Sequence, residues 1–166
     1  MKSFITLLIV LVLAGLPTYV RAQAPSAGAG DGVRFGISVG GISTVAVSVE
    51  LFRDSRSIDL SLGTWSFHDV SFSAVVKQYA FSSAARPFVG AGLWMVVASP
   101  ADERTGVALV LRVPVGVDWE VTDDHSLGAV INLNRGLAVR RTDPADVLPM
   151  NKRLVPLPEL YYRYTR

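Results

Sequence analysis

The sequence predicts an all-β protein: an eight-stranded antiparallel up-and-down transmembrane β-barrel with short loops, preceded by a signal peptide. Three observations carry this expectation. About eight stretches alternate between apolar and small or polar residues, which is the period of a strand and not of a helix. The apolar set of each stretch is free of charge through its middle. The opposite set is mostly Gly, Ser and Ala with isolated charges, where a sheet facing water would carry many Lys, Glu and Thr.

The clearest stretch runs from Val107 to Trp119. Val107, Leu109, Leu111, Val113, Val115, Val117 and Trp119 fall on one face, and Ala108, Val110, Arg112, Pro114, Gly116 and Asp118 on the other. Val-Thr-Asp-Asp-His follows, rich in turn formers, and then Leu127, Ala129, Ile131 and Leu133 lie opposite Ser126, Gly128, Val130, Asn132 and Asn134. The two stretches read as a hairpin.

The remaining strands follow the same logic. Strand one sets Val33, Phe35, Ile37 and Val39 against Arg34, Gly36, Ser38 and Gly40, and Gly40-Gly41 provides a tight turn. Strand two carries Val45, Val47, Val49 and Leu51 against Ala46, Ser48 and Glu50, before a turn at Arg53-Asp54-Ser55-Arg56. Strand three places Ile58, Leu60, Leu62 and Thr64 opposite Asp59, Ser61, Gly63 and Trp65, ending in a loop at Ser66 to Asp69. Strand four has Val70, Phe72, Ala74 and Val76 opposite Ser71, Ser73, Val75 and Lys77, with a turn at Ser82-Ser83. Strand five, Arg86 to Ala98, sets Val89, Ala91, Leu93, Met95 and Val97 against Phe88, Gly90, Gly92, Trp94 and Val96. Strands six and seven are the hairpin, and a long connection, roughly Val139 to Arg153, shows no strand pattern. Strand eight is the faintest, because Pro156 and Pro158 cannot donate to a ladder, yet Leu160, Tyr162 and Tyr164 alternate with Glu159, Tyr161 and Arg163. Strands of about 9 to 12 residues are long enough to cross a bilayer when tilted.

The chain divides into a signal peptide at 1–22, a Pro, Gly, Ala and Ser tail at 23–32 and a barrel at 33–166. Lys2, an apolar run from Phe4 to Leu16, Pro17 and the small residue Ala22 have the layout of a cleaved secretory signal, with Ala24 an alternative cleavage point. Removing residues 1–22 takes Lys2 and Arg21 with it and lowers the formal charge from +2 to 0. No basic footprint for nucleic acid is left. Cysteine is absent, so neither a disulfide framework nor a thiolate metal site can form.

In a soluble β-sandwich or lipocalin-like ligand binder, the rival reading, the apolar set points inward. The cramped polar set, with only scattered charges, argues for the inverse, with apolar side chains in lipid and small polar ones filling the lumen. Lys or Arg at the midplane of a lipid-facing wall costs about 2–4 kcal/mol. Closure of the sheet removes the open edges that hydrocarbon would leave unsatisfied.

The segments Arg86-Pro87-Phe88-Val89-Gly90-Ala91-Gly92-Leu93 and Gly116-Val117-Asp118-Trp119-Glu120-Val121-Thr122-Asp123-Asp124-His125-Ser126-Leu127-Gly128-Ala129 carry a resemblance. They are similar to the Pro-aromatic-Val-Gly-Ala-Gly strand and the Gly-Val-Asp-aromatic, Leu-Thr-Asp, Ser-Leu-Gly hairpin of small porin-like outer-membrane barrels of the OmpA/opacity-protein type. The resemblance implies a Gram-negative envelope protein with periplasmic termini, inserted by the outer-membrane assembly machinery. Such proteins usually end on Phe or Trp, whereas Tyr164 is followed here by Thr165 and Arg166.

With strand one running outward, the connections at Gly40, His68, Ala101 and Arg141 lie on the cell surface, and those at Asp54, Ser82 and Asp124 in the periplasm. The lumen is expected to hold a polar network of Arg34, Glu50, Asp59, Lys77, Arg112, Asp118, Glu120 and Glu159. An eight-stranded barrel is just wide enough for side chains to fill it, so these charges should pair into a plug, with a narrow ion path as the alternative. Gly36, Gly63, Gly90, Gly92, Gly116 and Gly128 would make room for them. Trp119, Tyr162 and Tyr164 are assigned to an aromatic girdle.

His68 beside Ser66, Asp69 or Ser71 is the one arrangement resembling a base and nucleophile, as a lipid-modifying barrel enzyme would need. A solvated loop histidine explains it more simply. Asp102, Glu103, Asp123 and Asp124 lack the ligand spacing of a calcium loop. No catalytic residue, cofactor or metal is expected. The expected partners are outer-membrane lipid and lipopolysaccharide, whose phosphates Arg140-Arg141 and Lys152-Arg153 could meet, and the protein is expected to be a monomer without nucleic acid.

Overall fold

The computed structural model describes residues 32–80, 83–98, 105–141 and 153–166. The expected signal peptide and nearly all of the expected tail lie outside them, as do Asp102, Glu103 and Lys152. The described chain forms β1 (Gly32–Gly40), β2 (Ser43–Arg53), β3 (Arg56–Thr64), β4 (Asp69–Tyr79), β5 (Ala85–Ala98), β6 (Gly106–Thr122), β7 (His125–Arg140) and β8 (Val155–Thr165). Each strand pairs antiparallel with the next, and β1 pairs with β8 from Arg34↔Thr165 to Gly40↔Glu159, closing the sheet into a barrel. Gly40 and Gly41 take φ of 79° and 70°, values open to glycine without steric cost, at the β1–β2 turn.

Strand alternation places one residue set outside and the other inside. Ile37 is 58% exposed, and Val47, Leu62, Val76 and Leu111 are exposed on the same outer surface. Glu50, Ser71, Ser73, Asp118 and Asn132 are fully buried in the interior, and Lys77 and Arg112 are buried beside them. The apolar content of the interior is small. Tyr79, Phe88, Val130 and Tyr161 form one buried cluster, in which the Tyr79 and Phe88 rings lie 5.3 Å apart.

Three strands exceed the expected length: β5 has 14 residues, β6 has 17 and β7 has 16. In β7 a bulge hides the extension. Val110 pairs with Gly136 but Leu109 pairs with Ala138, so Leu137 is extra. One inserted residue flips the faces of everything beyond it. The period therefore breaks after Gly136 and hides a strand that runs on to Arg140, where the sequence suggests a connection beginning near Val139. The bulge also puts Arg140, opposite the outward Val107, on the same outer face as Arg135, opposite Leu111.

The prolines of β8 prove compatible with a full strand. Pro156 and Pro158 pair with Leu133 and Ile131 of β7. The Pro158 carbonyl accepts from Gly41 N at 2.7 Å on the other edge, and in an antiparallel strand the N–H and C=O of one residue point to the same edge. The missing donors thus face the side where β1 ends, and the β7–β8 ladder is unaffected. In β6, Pro114 sits where the β5–β6 register skips from Val89↔Val115 to Gly92↔Arg112. Trp65, expected in strand three, lies just beyond the end of β3 and is half exposed.

Candidate functional site

The barrel interior is the one place where the fold concentrates chemistry. Inward positions of all eight strands contribute to it. Toward the end carrying the β2–β3 and β6–β7 turns, Asp118 accepts from Arg34 Nη1 at 2.9 Å, Arg86 Nη2 at 3.0 Å and Tyr161 Oη at 3.0 Å. Glu50 accepts from Ser57 Oγ at 2.6 Å and Tyr79 Oη at 2.7 Å, and its carboxylate lies 3.0 Å from Arg163 and 3.5 Å from Lys77. Asp59 is shared by Lys77 and by Arg163 Nη2, the latter at 2.5 Å. Glu120, partly exposed at the rim, reaches Arg86 at 2.6 Å and Arg34 at 3.4 Å. The guanidinium of Arg163 also lies 3.9 Å from the centroid of the Tyr161 ring, and that of Arg34 lies 4.4 Å from Phe52. These are favourable cation–π distances.

A second group lies toward the other end. Arg112 donates from Nη2 to Glu159 at 2.8 Å, from Nε to Asn132 Oδ1 at 2.7 Å and from Nη1 to Ser73 Oγ at 3.0 Å. Asn132 Nδ2 closes the ring by donating to Glu159 at 2.7 Å. Residues of both groups line an internal gap of about 10 Å³, which is at the lower limit for one water molecule.

All eight charges proposed for the lumen thus lie inside or at the rim, joined in these two groups. Sequence reasoning missed Arg86 and Arg163, both buried here. A signal was present. The eight comprise three cations, Arg34, Lys77 and Arg112, against five acids. An interior two charges out of balance needs two more cations, because unpaired buried charge is costly. Arg86 has the parity of Phe88, and Arg163 that of Glu159.

Glycine makes room for this packing at particular points. A Cβ on Gly128 would run into the Tyr161 ring, and one on Gly36 would lie 2.6 Å from Ser48 Oγ and 3.0 Å from Arg163 Cγ. Gly128→Ala is therefore expected to destabilise the barrel by about 1–3 kcal/mol, read from the urea midpoint of folding in lipid. The Tyr161→Phe background, which lacks the bond to Asp118, should leave most of that loss in place, since the clash is with the ring.

Trp119, Tyr162 and Tyr164 all point outward at the turn end. His125 joins them, its Nδ1 hydrogen-bonded to Tyr162 Oη at 2.6 Å and its ring stacked at 5.8 Å. His68 lies at the opposite end, in the exposed β3–β4 loop. Its Nδ1 donates to the Ser66 carbonyl at 2.9 Å. The Asp69 carboxylate caps the loop by accepting from Trp65 N at 2.7 Å, Thr64 Oγ1 at 3.1 Å and Ser66 Oγ at 3.3 Å. Ser71 is sealed in the interior. Asp123 and Asp124 form the β6–β7 turn, and no cluster of three or more potential metal ligands occurs among the described residues.

These features define a class: a closed eight-stranded antiparallel barrel with an apolar exterior and a charged, side-chain-filled interior. The fold is similar to that of the N-terminal β-barrel domain of Pseudomonas aeruginosa OprF, with a TM-score of 0.61 over 82% of this chain and 98% of that domain, at 12% sequence identity. No protein-family profile and no curated protein matches the chain.

Proposed function

We propose that the chain is an integral outer-membrane β-barrel of the OmpA/opacity-protein type, with a structural or interaction role and a lumen plugged by paired charges. One observation carries the reading: among the described residues the middle of the outer surface is apolar around the barrel, with outward arginines only toward the strand ends, while Arg34, Glu50, Asp59, Lys77, Arg112, Asp118 and Arg163 are buried inside. Water would favour the reverse arrangement, and a hydrocarbon solvent favours this one. The barrel fold shared with the OprF domain supports it. In this reading the protein is exported on its N-terminal signal and inserted by the outer-membrane assembly machinery as a monomer. The brief turns at Asp54 and Asp124 face the periplasm, since such barrels keep their short turns on that side. Arg135 and Arg140 then lie on the outer wall toward the cell surface, within reach of lipopolysaccharide phosphates.

The role assigned is neither catalytic nor that of a wide channel. His68 is occupied with a backbone carbonyl, and the two interior charge groups leave little space between them. The experiment is fractionation with a heat-modifiability gel on the full chain expressed in a Gram-negative host. The protein is expected in the outer-membrane fraction, and to migrate differently before and after boiling in detergent. A protein in the soluble periplasm, with one mobility regardless of heating, would replace this reading with the soluble binder.

A further inference from the structure

Two arginines of β7 point outward at different heights, and a bulge brings them onto one face. Arg135 lies opposite Leu111 and Arg140 opposite Val107. In an unbroken ladder Arg140 would pair with Gly106 and point inward, and the extra residue Leu137 turns it to the outer wall instead. Bulges re-aim side chains in this way beside functional sites. Arg135 is half-buried and Arg140 exposed. Among the described residues neither donates a hydrogen bond or joins an ion pair. The acids of the strands, Glu50, Asp59, Asp69, Asp118, Glu120 and Glu159, all have inward parity, so the wall supplies no counter-charge. Arg135 also lies within the apolar surface and not at its border, because Leu109 and Val107 continue beyond Leu111 on the neighbouring strand.

The two heights follow from strand geometry. His125, opposite Tyr164 in the aromatic cluster, is ten residues before Arg135 on β7. At about 3.3 Å per residue and a tilt near 40°, that is roughly 25 Å along the barrel axis, the height of the apolar band on membrane barrels. With the aromatic end at the periplasmic interface, Arg135 stands at the depth of the innermost phosphates of the outer leaflet. From Leu111 to Val107 the register advances four residues, so Arg140 stands roughly 10 Å farther out. We infer that Arg135 and Arg140 form a two-tier site for one lipopolysaccharide molecule, Arg135 binding a lipid A phosphate and Arg140 a carboxylate or phosphate of the core sugars above it. The inference rests on the membrane reading and on the turn end facing the periplasm, and it assigns each arginine its own anion. Vertical spacing selects the occupant. A glycerophospholipid carries its anionic group at one depth, and so does lipid A. Only a glycolipid with anionic core sugars offers charge at both. Guanidinium forks suit either tier, since they bond two oxygens of a phosphate or a carboxylate at once.

The test is native mass spectrometry of the full-length folded protein, released in EDTA from phosphatidylcholine vesicles containing phosphatidylglycerol, lipid A or core-bearing lipopolysaccharide. The wild type is expected to retain one core-bearing lipopolysaccharide in preference to lipid A, and lipid A in preference to phosphatidylglycerol. Arg135→Gln should lower retention of both glycolipids roughly fivefold, the contribution of one cation near an anionic membrane surface. Arg140→Gln should lower retention of core-bearing lipopolysaccharide by a similar factor and leave lipid A unchanged. Protease protection of each protein in the vesicles is measured in parallel. Protected barrels that retain lipid A as well as core-bearing lipopolysaccharide, that lose both alike in Arg140→Gln, or that hold phosphatidylglycerol equally would overturn the two-tier site alone. Release of the glycolipid by excess inorganic phosphate would reassign the arginines to a free anion. Failure of every protein, wild type included, to become protected would remove the membrane reading beneath the site.

Discussion

Glu50→Ala is expected to lower the stability of the folded barrel by about 3–5 kcal/mol, the cost of leaving buried charge without its partner. Glu50 is fully buried, and its carboxylate faces Arg163 at 3.0 Å, Lys77 at 3.5 Å and Arg34 at 3.8 Å. Without it, Arg163 and Lys77 share Asp59 alone, and Ser57 and Tyr79 lose their acceptor. Glu50→Gln separates the two contributions, because the amide oxygen can still accept from Ser57 and Tyr79 while the charge is gone. Its loss should be smaller than that of the alanine variant. Removing both partners of an ion pair has a different expectation: Arg112→Met/Glu159→Leu should cost less than Glu50→Ala, about 1–3 kcal/mol, because no charge is left unpaired and only the buried Asn132 amide loses its partners. Urea unfolding in lipid vesicles, followed by tryptophan fluorescence, reads all three. A loss below about 1 kcal/mol for Glu50→Ala would be the behaviour of a solvated surface pair and would refute a dry, interlocked interior.

Leu60→Arg should destabilise the protein by about 2–4 kcal/mol in a bilayer, the cost of a cation at the midplane of a lipid-facing wall. Leu60 is outward at the centre of β3, between Val49 and Ala74 of the neighbouring strands, and 37% exposed. If water bathed this surface, the same substitution would fall within about 0.5 kcal/mol of neutral. Trp119→Arg, outward at the turn end, supplies the depth control. There the charge should cost no more than about 1 kcal/mol beyond the packing of the ring, because it can reach the interface. Equal, small effects at both positions would point to a solvated exterior.

Strand identity and facing direction were legible wherever the alternation ran unbroken. Ile37, Val47 and Leu62 could be assigned outward and Glu50, Asp59 and Lys77 inward from parity alone, because a strand has only two faces. Legibility failed where a local event reset the parity or hid a residue at a strand end. The Leu137 bulge shifted the phase of β7, so its last residues, Val139 and Arg140, read as the start of a connection. Pro156 and Pro158 obscured β8, since whether a proline is tolerated depends on which edge its nitrogen faces. Arg86 and Arg163 sat close to strand ends, where a charge reads as solvated until the neighbouring strands are in place.

What the sequence by itself determined is the two-faced character of each strand, and with it an oily exterior and a polar interior. Side-chain direction follows from the backbone period, a local property. Which charge meets which was decided only by the tertiary structure. Arg163 meets Asp59 across 104 residues and Arg34 meets Asp118 across 84, contacts that exist because β1 closes against β8 in one register. A shift of that register would offer each cation a different acid, and nothing local in the chain selects between such arrangements. Complementary volume and charge inside a closed wall make that selection, and they come into being only when all eight strands are paired.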